Sequence, residues 1–324
     1  MPAGDLRFRI WDSYWQDSRL YSSGVEADLQ IAAAFEDAWQ TVTRNLFPGA
    51  RVLDIGCGNG AAAFEMARAA KTMGGQLSIV GIDSAAIDPQ RYVGAHTEIL
   101  STIEFRPLVN MEVLPFENGG FDAAVSQYGL EFSDVVLTLS ELGRVVKPGG
   151  VMTVLVMPAR SATVHSARKS VKQARYLLRD AKLFNMALDV IRFYHNARMD
   201  GVEPDTRPRL ERFNIEVQTA VDQFDADEAG VVFAIIIGLN KVFTDRKNSD
   251  LTDQVQTIEL VRTRLAQYAA RCHATTRAAL ADHQVEDLRI NMARSGFQAT
   301  DIRPIVVGTH GNVAWKITAS RLRQ

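Results

Sequence analysis

The stretch "VLDIGCGNG", Val52 to Gly60, decides the fold. It sets an apolar run ahead of three glycines at alternate positions, Gly56, Gly58 and Gly60, with Asp54 two residues before the first. Such a run entering a glycine turn reads as a buried strand, and the helical pattern of "AAAFEMARAAK" (Ala61 to Lys71) follows at once. Glycines at a strand-to-helix junction adopt positive φ and let a ligand lie directly on the backbone. The next apolar run, "LSIVGID" from Leu77 to Asp83, ends in an acid. A carboxylate at that place can accept both hydroxyls of a ribose.

The alternation continues down the chain. Strands are expected around "IEFRPL" (Ile103 to Leu108), at "FDAAVSQ" (Phe121 to Gln127) and at "VMTVLVM" (Val151 to Met157). A helix is expected over "SDVVLTLSELGRVV" (Ser133 to Val146), closed by Lys147-Pro148-Gly149-Gly150. Strands alternating with helices predict a parallel sheet covered on both faces. After Pro158 the pattern turns helical over 159–281, with breaks at Asp200 to Pro208 and Thr244 to Asp250. It returns with the helix "VEDLRINMARSGF", ending at Gly296, and two strands, Ala299 to Val307 and Val313 to Ser320. The turn between them, Gly308 to Asn312, makes that pair antiparallel. Before the sheet, Trp11, Tyr14, Trp15 and Tyr21 cluster near the start, and "ADLQIAAAFEDAWQTVTRNLF" (Ala27 to Phe47) has helical spacing up to Pro48-Gly49.

The expected fold is therefore α/β: a Rossmann-like, mostly parallel sheet with an antiparallel final strand, plus a helical cap insertion. The expected division is an N-terminal helical lid over 1–47, a core of 48–157 and 282–324, and a cap over 158–281.

Composition narrows the function. The 324 residues are 47% hydrophobic and 23% charged, ordinary for a globular chain. A net charge of −2 argues against a general nucleic-acid binder. Two cysteines, Cys57 and Cys272, support no disulfide framework and no zinc spacing, so a reducing cytoplasm is the expected setting. The opening "MPAGDLRFRIWDSYW" has no apolar core of the signal-peptide kind. The longest apolar run, Ala229 to Leu239, is too short for a membrane span and reads as a buried helix or strand.

A glycine turn and a ribose acid suit a dinucleotide dehydrogenase as well as other nucleotide enzymes, but Asp54 argues against the dehydrogenase. A carboxylate beside the loop repels a pyrophosphate and attracts an amine. S-adenosylmethionine ends in such an amine and carries no phosphate. At this point "VLDIGCGNG" resembles motif I of the class I S-adenosylmethionine-dependent methyltransferases. "GIDSA" resembles their second-strand acidic motif, and "VNMEVLPFENGGFDAAVSQYGLEF" is similar to a segment of the ubiquinone-biosynthesis-like small-molecule subgroup. "ELGRVVKPGGVMTVLV" resembles their helix, turn and fifth strand, so the ordered resemblance covers roughly 48–157 and returns at 282–320.

The resemblance implies S-adenosylmethionine as cofactor and S-adenosylhomocysteine as product. Asp54, with the loop Gly56, Cys57 and Gly58, would hold the methionine end, although Cys57 fills a variable position of the motif. Asp83 would take the ribose, with Ser84 flanking the adenine. Asn110 stands where the family usually has aspartate, and its amide oxygen can still accept from the adenine amino group. Met111 would offer its backbone N–H to the ring, and Gln127 would line the sulfonium end. Tyr14 or Trp15 would close over the cofactor, with packing of a helix onto the sheet as the other use of these aromatics.

The expected reaction is in-line methyl transfer to a small-molecule or peptide acceptor, with Glu131, His165 and His195 as candidate catalytic groups. The acceptor atom stays open. A turnover-free cofactor-binding or assembly module is the non-enzymatic alternative, and peptide or natural-product tailoring is a further one. The insertion would select the acceptor or build a homodimer. Basic residues crowd 165–198 and acids crowd 201–229, either as complementary solvated surfaces or as a cationic mouth for an anionic substrate. No nucleic-acid partner and no membrane span are expected.

Overall fold

Residues 6–22, 28–225 and 229–323 are described by the structure, a computed structural model. The expected lid over 1–47 is described at 6–22 and 28–47; the remainder of it, including Ala27, lies outside the described residues. Two helices come first, α1 (Leu6–Trp15) and α2 (Leu29–Arg44). α2 starts where it does because Asp28 is its N-cap, accepting from the backbone of Gln30 at 2.9 Å and Ile31 at 3.2 Å. Phe35, Ala38, Trp39 and Val42 recur at helical spacing and form its buried face.

The alternating region follows as β1 (Arg51–Ile55), α3 (Ala61–Thr72), β2 (Ser78–Ile82), the short helices α4 (Pro89–Tyr92) and α5 (Thr97–Leu100), β3 (Glu104–Arg106), β4 (Phe121–Gln127), α6 (Val135–Val145) and β5 (Val146–Val156). Five helices come next: α7 (Ala162–Arg179), α8 (Leu183–Met199), α9 (Arg207–Asp222), α10 (Gly230–Asp245) and α11 (Leu251–Ala278). The chain closes with α12 (Asp282–Arg294), β6 (Phe297–Val307) and β7 (Gly311–Arg321). The sheet order is β3-β2-β1-β4-β5-β7-β6. Strands β1 to β5 pair in parallel, and β7 runs antiparallel to both of its neighbours. The fold is α/β, as the pattern required.

Two strands differ from their expected bounds for local reasons. β3 stops at Arg106 because Pro107 has no N–H to donate and Leu108 turns through a φ of 59°. β5 begins earlier than Val151. Val146 already pairs with Phe121, and pairing resumes with Val151 opposite Ala123, so residues 147–150 bulge out of the strand rather than forming a separate turn.

Each face of the sheet has its own core. On one, Val52, Ala123, Val125 and Leu155 meet Phe35 and Trp39 of α2 and Phe64 and Met66 of α3. On the other, Leu53, Ile55, Val80, Val154 and Ile317 meet Leu139 and Leu142 of α6 and Val285, Leu288 and Met292 of α12. The described residues up to His165, with those from Ala274 onward, form one compact unit, and Ser166–His273 form another. The second has its own core, including Leu177, Phe184, Ile191, Phe213, Val232, Leu239 and Phe243.

Phe35 is fully buried, with its ring edge-on to Tyr128, whereas Leu29 on the same helix is exposed. Phe35→Ala is therefore expected to cost about 3–5 kcal/mol of unfolding free energy. Leu29→Ala should stay within about 0.5 kcal/mol of wild type, as read by denaturant titration.

Candidate active site

The order of strands reverses between β1 and β4, and in such a sheet the crevice at their carboxyl ends is the natural ligand site. The glycine loop leaves β1 there. Gly56, Gly58 and Gly60 all take positive φ, at 60°, 53° and 87°. The backbone N–H of Cys57 donates to Ile82 O at 2.9 Å, which ties the loop to the end of β2.

Two carboxylates flank this loop. Asp54 is buried, and its Oδ2 accepts from the backbone N–H of Ala63 at 3.2 Å, in the first turn of α3. Its Oδ1 is buried with no hydrogen-bond partner among the described residues. Burial, aided by the nearby Asp83, pushes the Asp54 carboxyl up to about 8, and the bond from Ala63 only partly opposes this. Asp83 accepts from Gly58 N–H at 2.8 Å through Oδ2 and from Ala85 N–H at 2.8 Å through Oδ1. Burial raises its pKa as well, with Asp12 adding to the effect. A carboxylate has about four acceptor positions, so these two bonds leave room for further donors.

The segment after β4 folds back on the loop. Tyr128 takes a φ of 55°, and its N–H donates to Leu155 O at 2.8 Å. Ser126 Oγ donates to Ile55 O at 2.9 Å and accepts from Leu130 N–H at 3.0 Å. A Cβ on Gly129 would lie 2.8 Å from Ile55 O and 2.9 Å from Gly56 O, so the two chain exits touch backbone to backbone. Gln127 Oε1 accepts from Trp39 Nε1 at 2.6 Å. Glu131 follows in a short 3-10 turn, Leu130–Phe132, and is buried. Its Oε1 accepts from Met157 N–H at 2.9 Å, while Oε2 has no partner among the described residues. Burial lifts its carboxyl to about 7.

The N-terminal segment lies on the same loop. The Trp15 ring packs so closely on Gly58 that a Cβ there would fall 2.2 Å from Cζ2. Asn59 Nδ2 donates to Trp15 O at 2.8 Å and to Arg19 O at 2.6 Å, and Ala86 N–H donates to Asp12 Oδ1 at 2.8 Å. Tyr14 meets Trp15 edge-on at 5.0 Å between ring centroids, and Trp11 meets Phe132 at 5.5 Å.

The structure thus gathers Tyr14, Trp15, Asp54, Gly56, Cys57, Gly58 and Asp83 around one loop, with Ser84 next to Asp83. Met111 Cε lies 3.0 Å from where a Gly56 Cβ would stand. Asn110 is exposed, and its carbonyl accepts from Val113 N–H at 3.2 Å. The other candidates are dispersed. His165 is exposed near the start of α7. His195 belongs to the second unit, where its Nε2 is 3.3 Å from Gln254 Oε1. Sequence reasoning missed Asp12, Asn59, Ser126 and Gly129. Only Asn59 gave a signal, as the polar residue between two glycines of the loop. Among the described residues, no group of three or more His, Cys, Asp or Glu could hold a metal ion.

The raised carboxylates make the ligand-free protein sensitive to pH. An acid with a raised folded pKa keeps its proton where the unfolded chain has lost it. For Asp54, whose ordinary value is 3.8 and whose folded value is about 8, the stability contribution is full below the first and is lost as pH rises through the second. The melting temperature should therefore fall across that window. Asp54→Asn should melt above wild type near the upper end, and thermal unfolding at several pH values checks this.

Residues 29–186, just under half of the chain, match the ubiE/COQ5 methyltransferase family. A 2-phytyl-1,4-naphtoquinone methyltransferase of Synechocystis sp. is 34% identical over 110 residues, covering 33% of this chain and 45% of that protein. A demethylmenaquinone methyltransferase of Corynebacterium kroppenstedtii is 31% identical over 130 residues, covering 38% of this chain and 50% of the relative. The chain thus spans about half the length of these curated relatives. Among solved structures, the 1,6-didemethyltoxoflavin-N1-methyltransferase of Burkholderia thailandensis aligns over 97% of this chain and 88% of its own, at 12% identity and a TM-score of 0.46. The glycine loop, its two acids and the strands that carry them all fall inside residues 29–186, the segment that matches the ubiE/COQ5 methyltransferase family.

Proposed function

We propose that the chain transfers the methyl group of S-adenosylmethionine to a small apolar ring acceptor of the quinol kind, and that Glu131 takes the proton the acceptor loses. The observation that carries the cofactor half is the Asp54 oxygen, buried beside the glycine loop and without a partner among the described residues. A cationic ammonium set there pairs with the ionised carboxylate and removes the cost of burying that charge alone. A pyrophosphate would add like charge to a pair of carboxylates already pushed up by burial.

S-adenosylmethionine, when bound, supplies an electrophilic methyl group on a sulfonium. Asp54 and the backbone of Gly56, Cys57 and Gly58 would hold its amino-acid end. The acceptor positions that Asp83 has left would take the ribose hydroxyls. Ser84, Asn110 and Met111 would border the adenine, and Gln127, steadied by Trp39, would face the sulfonium side. Tyr14 and Trp15 would offer ring faces to a cation while keeping water from the loop.

Glu131 is favoured for the proton over the two histidines because it alone of the three is buried, and its Oε2 is left without a partner among the described residues. A carboxyl lifted to about 7 is matched to proton transfer near neutrality. The quinol class rests on the relatives, which are named for a phytylated naphthoquinone and a demethylmenaquinone. The second unit, whose residues beyond 186 fall outside the family match, is assigned acceptor selection. Both cysteines are free and buried, which suits work in a reducing cytoplasm.

Calorimetric titration with S-adenosylhomocysteine and with NAD separates the cofactor classes, and binding of NAD alone would overturn the reading. Asp83→Ala should weaken S-adenosylhomocysteine by roughly 10- to 100-fold, since two charge-assisted hydrogen bonds are lost and water replaces them in part. With a reduced 1,4-naphthoquinone as acceptor and methyl-labelled cofactor, Glu131→Gln should lower turnover by about 10²- to 10⁴-fold and leave S-adenosylhomocysteine affinity unchanged. The base works only when deprotonated, so the wild-type rate should rise through its pKa of about 7 to a plateau, and the variant should lose that rise.

A further inference from the structure

Helix α7 carries five Lys or Arg residues and no acid. Four of them, Arg168, Lys172, Arg175 and Arg179, are exposed. At 3.6 residues per turn their spacing of four, three and four places them within an arc of about 60°, in a straight row about 17 Å long. Among the described residues the side chain of none of the four takes part in an ion pair or a hydrogen bond. Other cations of the same unit do pair, Arg207 with Asp205 at 2.8 Å and Arg209 with Asp189 at 3.0 Å. The opposite face of α7 is committed to the core of that unit through Ala174 and Leu177. Beside the row lie the half-buried Val171, Tyr176 and Leu178.

We propose that this row is a docking surface for an anionic lipid bilayer. The proposal rests on the reading that the acceptor is an apolar ring of the quinol kind, and takes that ring to be borne on a lipid tail, as in the phytylated naphthoquinone for which one relative is named. An acceptor of that kind concentrates in the bilayer, and among the described residues no helix is long and apolar enough to cross one. The protein then meets its acceptor at the membrane surface. A straight file of cations suits a plane of anionic headgroups, and the long stems lie over the apolar flank while their charged ends stay in water. The chain as a whole carries −2, so the attraction is local to this face and not a property of the whole molecule. Because the apolar face of α7 is already buried in its own unit, contact is peripheral and governed by charge, and salt weakens it.

The test is co-sedimentation of the full chain with vesicles of equal parts phosphatidylcholine and phosphatidylglycerol, and with vesicles of phosphatidylcholine alone. Binding is expected only to the first and should be lost at high salt. Each cation contributes about fivefold near an anionic surface, so the variant R168E/K172E/R175E should bind at least about 100-fold more weakly. The variant should keep wild-type melting and S-adenosylhomocysteine affinity, since the cofactor residues lie in the other unit. Should charge reversal unfold the chain, R168Q/K172Q/R175Q serves as the comparison, again with loss of binding expected. Wild-type protein that ignores both vesicle types, or a folded variant that binds as wild type does, overturns the proposal. Tighter binding to a random-sequence RNA duplex than to the anionic vesicles, abolished by the same substitutions, also overturns it and makes the row a nucleic-acid contact. Methylation of the water-soluble reduced naphthoquinone needs no vesicle, so its failure counts against the acceptor reading and failure of sedimentation counts against the docking surface.

Discussion

Where β1 and β4 leave the sheet, their backbones touch at Gly56 and Gly129. A side chain at either position would stand within 3 Å of the other strand's exit. That contact fixes how the chain can continue. On the β1 side the glycine loop turns into α3 and brings Asp54 under its first turn. On the β4 side Tyr128 accepts a left-handed backbone, Ser126 ties the turn to Ile55, and Glu131 swings back under the end of β5. Left-handed backbone at a bulky aromatic is costly, and it persists here because hydrogen bonds on both sides of it hold the turn.

The consequence is a concentration of acid where water is scarce. Asp54, Asp83 and Glu131 are all buried, and all three have pKa values raised by desolvation. None of them has a cationic side chain as its hydrogen-bond partner among the described residues; each is held by backbone N–H groups. Such an arrangement is unfavourable for the protein alone and favourable for a cationic ligand, because the cost of desolvating the carboxylates has been met during folding. The N-terminal segment strengthens this. Trp15 on Gly58 and Asn59 on the Trp15 and Arg19 carbonyls exclude water from the loop and couple the segment to it.

The second unit follows a different electrostatic rule. Its core is apolar and self-contained, with Phe213 and Phe243 edge to face at 4.9 Å and Gln173 capping the start of α10 through Val231 and Val232. Helix α7 carries cations and no acid, whereas α9 balances three acids with three arginines. Asp54, Asp83 and Glu131 in the first unit are buried, whereas Arg168, Lys172, Arg175 and Arg179 in the second are exposed.

The sheet was legible in the sequence because each of its central strands must be apolar on both faces, and such runs stand out between helices and glycine turns. The antiparallel end was legible from two long alternating runs with a short turn between them. Asp54, Asp83 and the glycines were legible because their chemistry is local, set by strand ends and backbone conformation. The pairing of Trp39 with Gln127, of Asn59 with the N-terminal backbone and of Gly129 with Gly56 joins residues 88, 44 and 73 positions apart, and no local pattern announces such contacts. The bulge at 147–150 and the early stop of β3 were likewise decided by pairing register and by one left-handed residue. Above all, the sequence offered Glu131, His165 and His195 as candidates, with Glu131 ahead only for its place just past the fourth strand. Burial set them apart, because a side chain's pKa and its free hydrogen-bonding capacity depend on what packs around it, and only the folded chain fixes that.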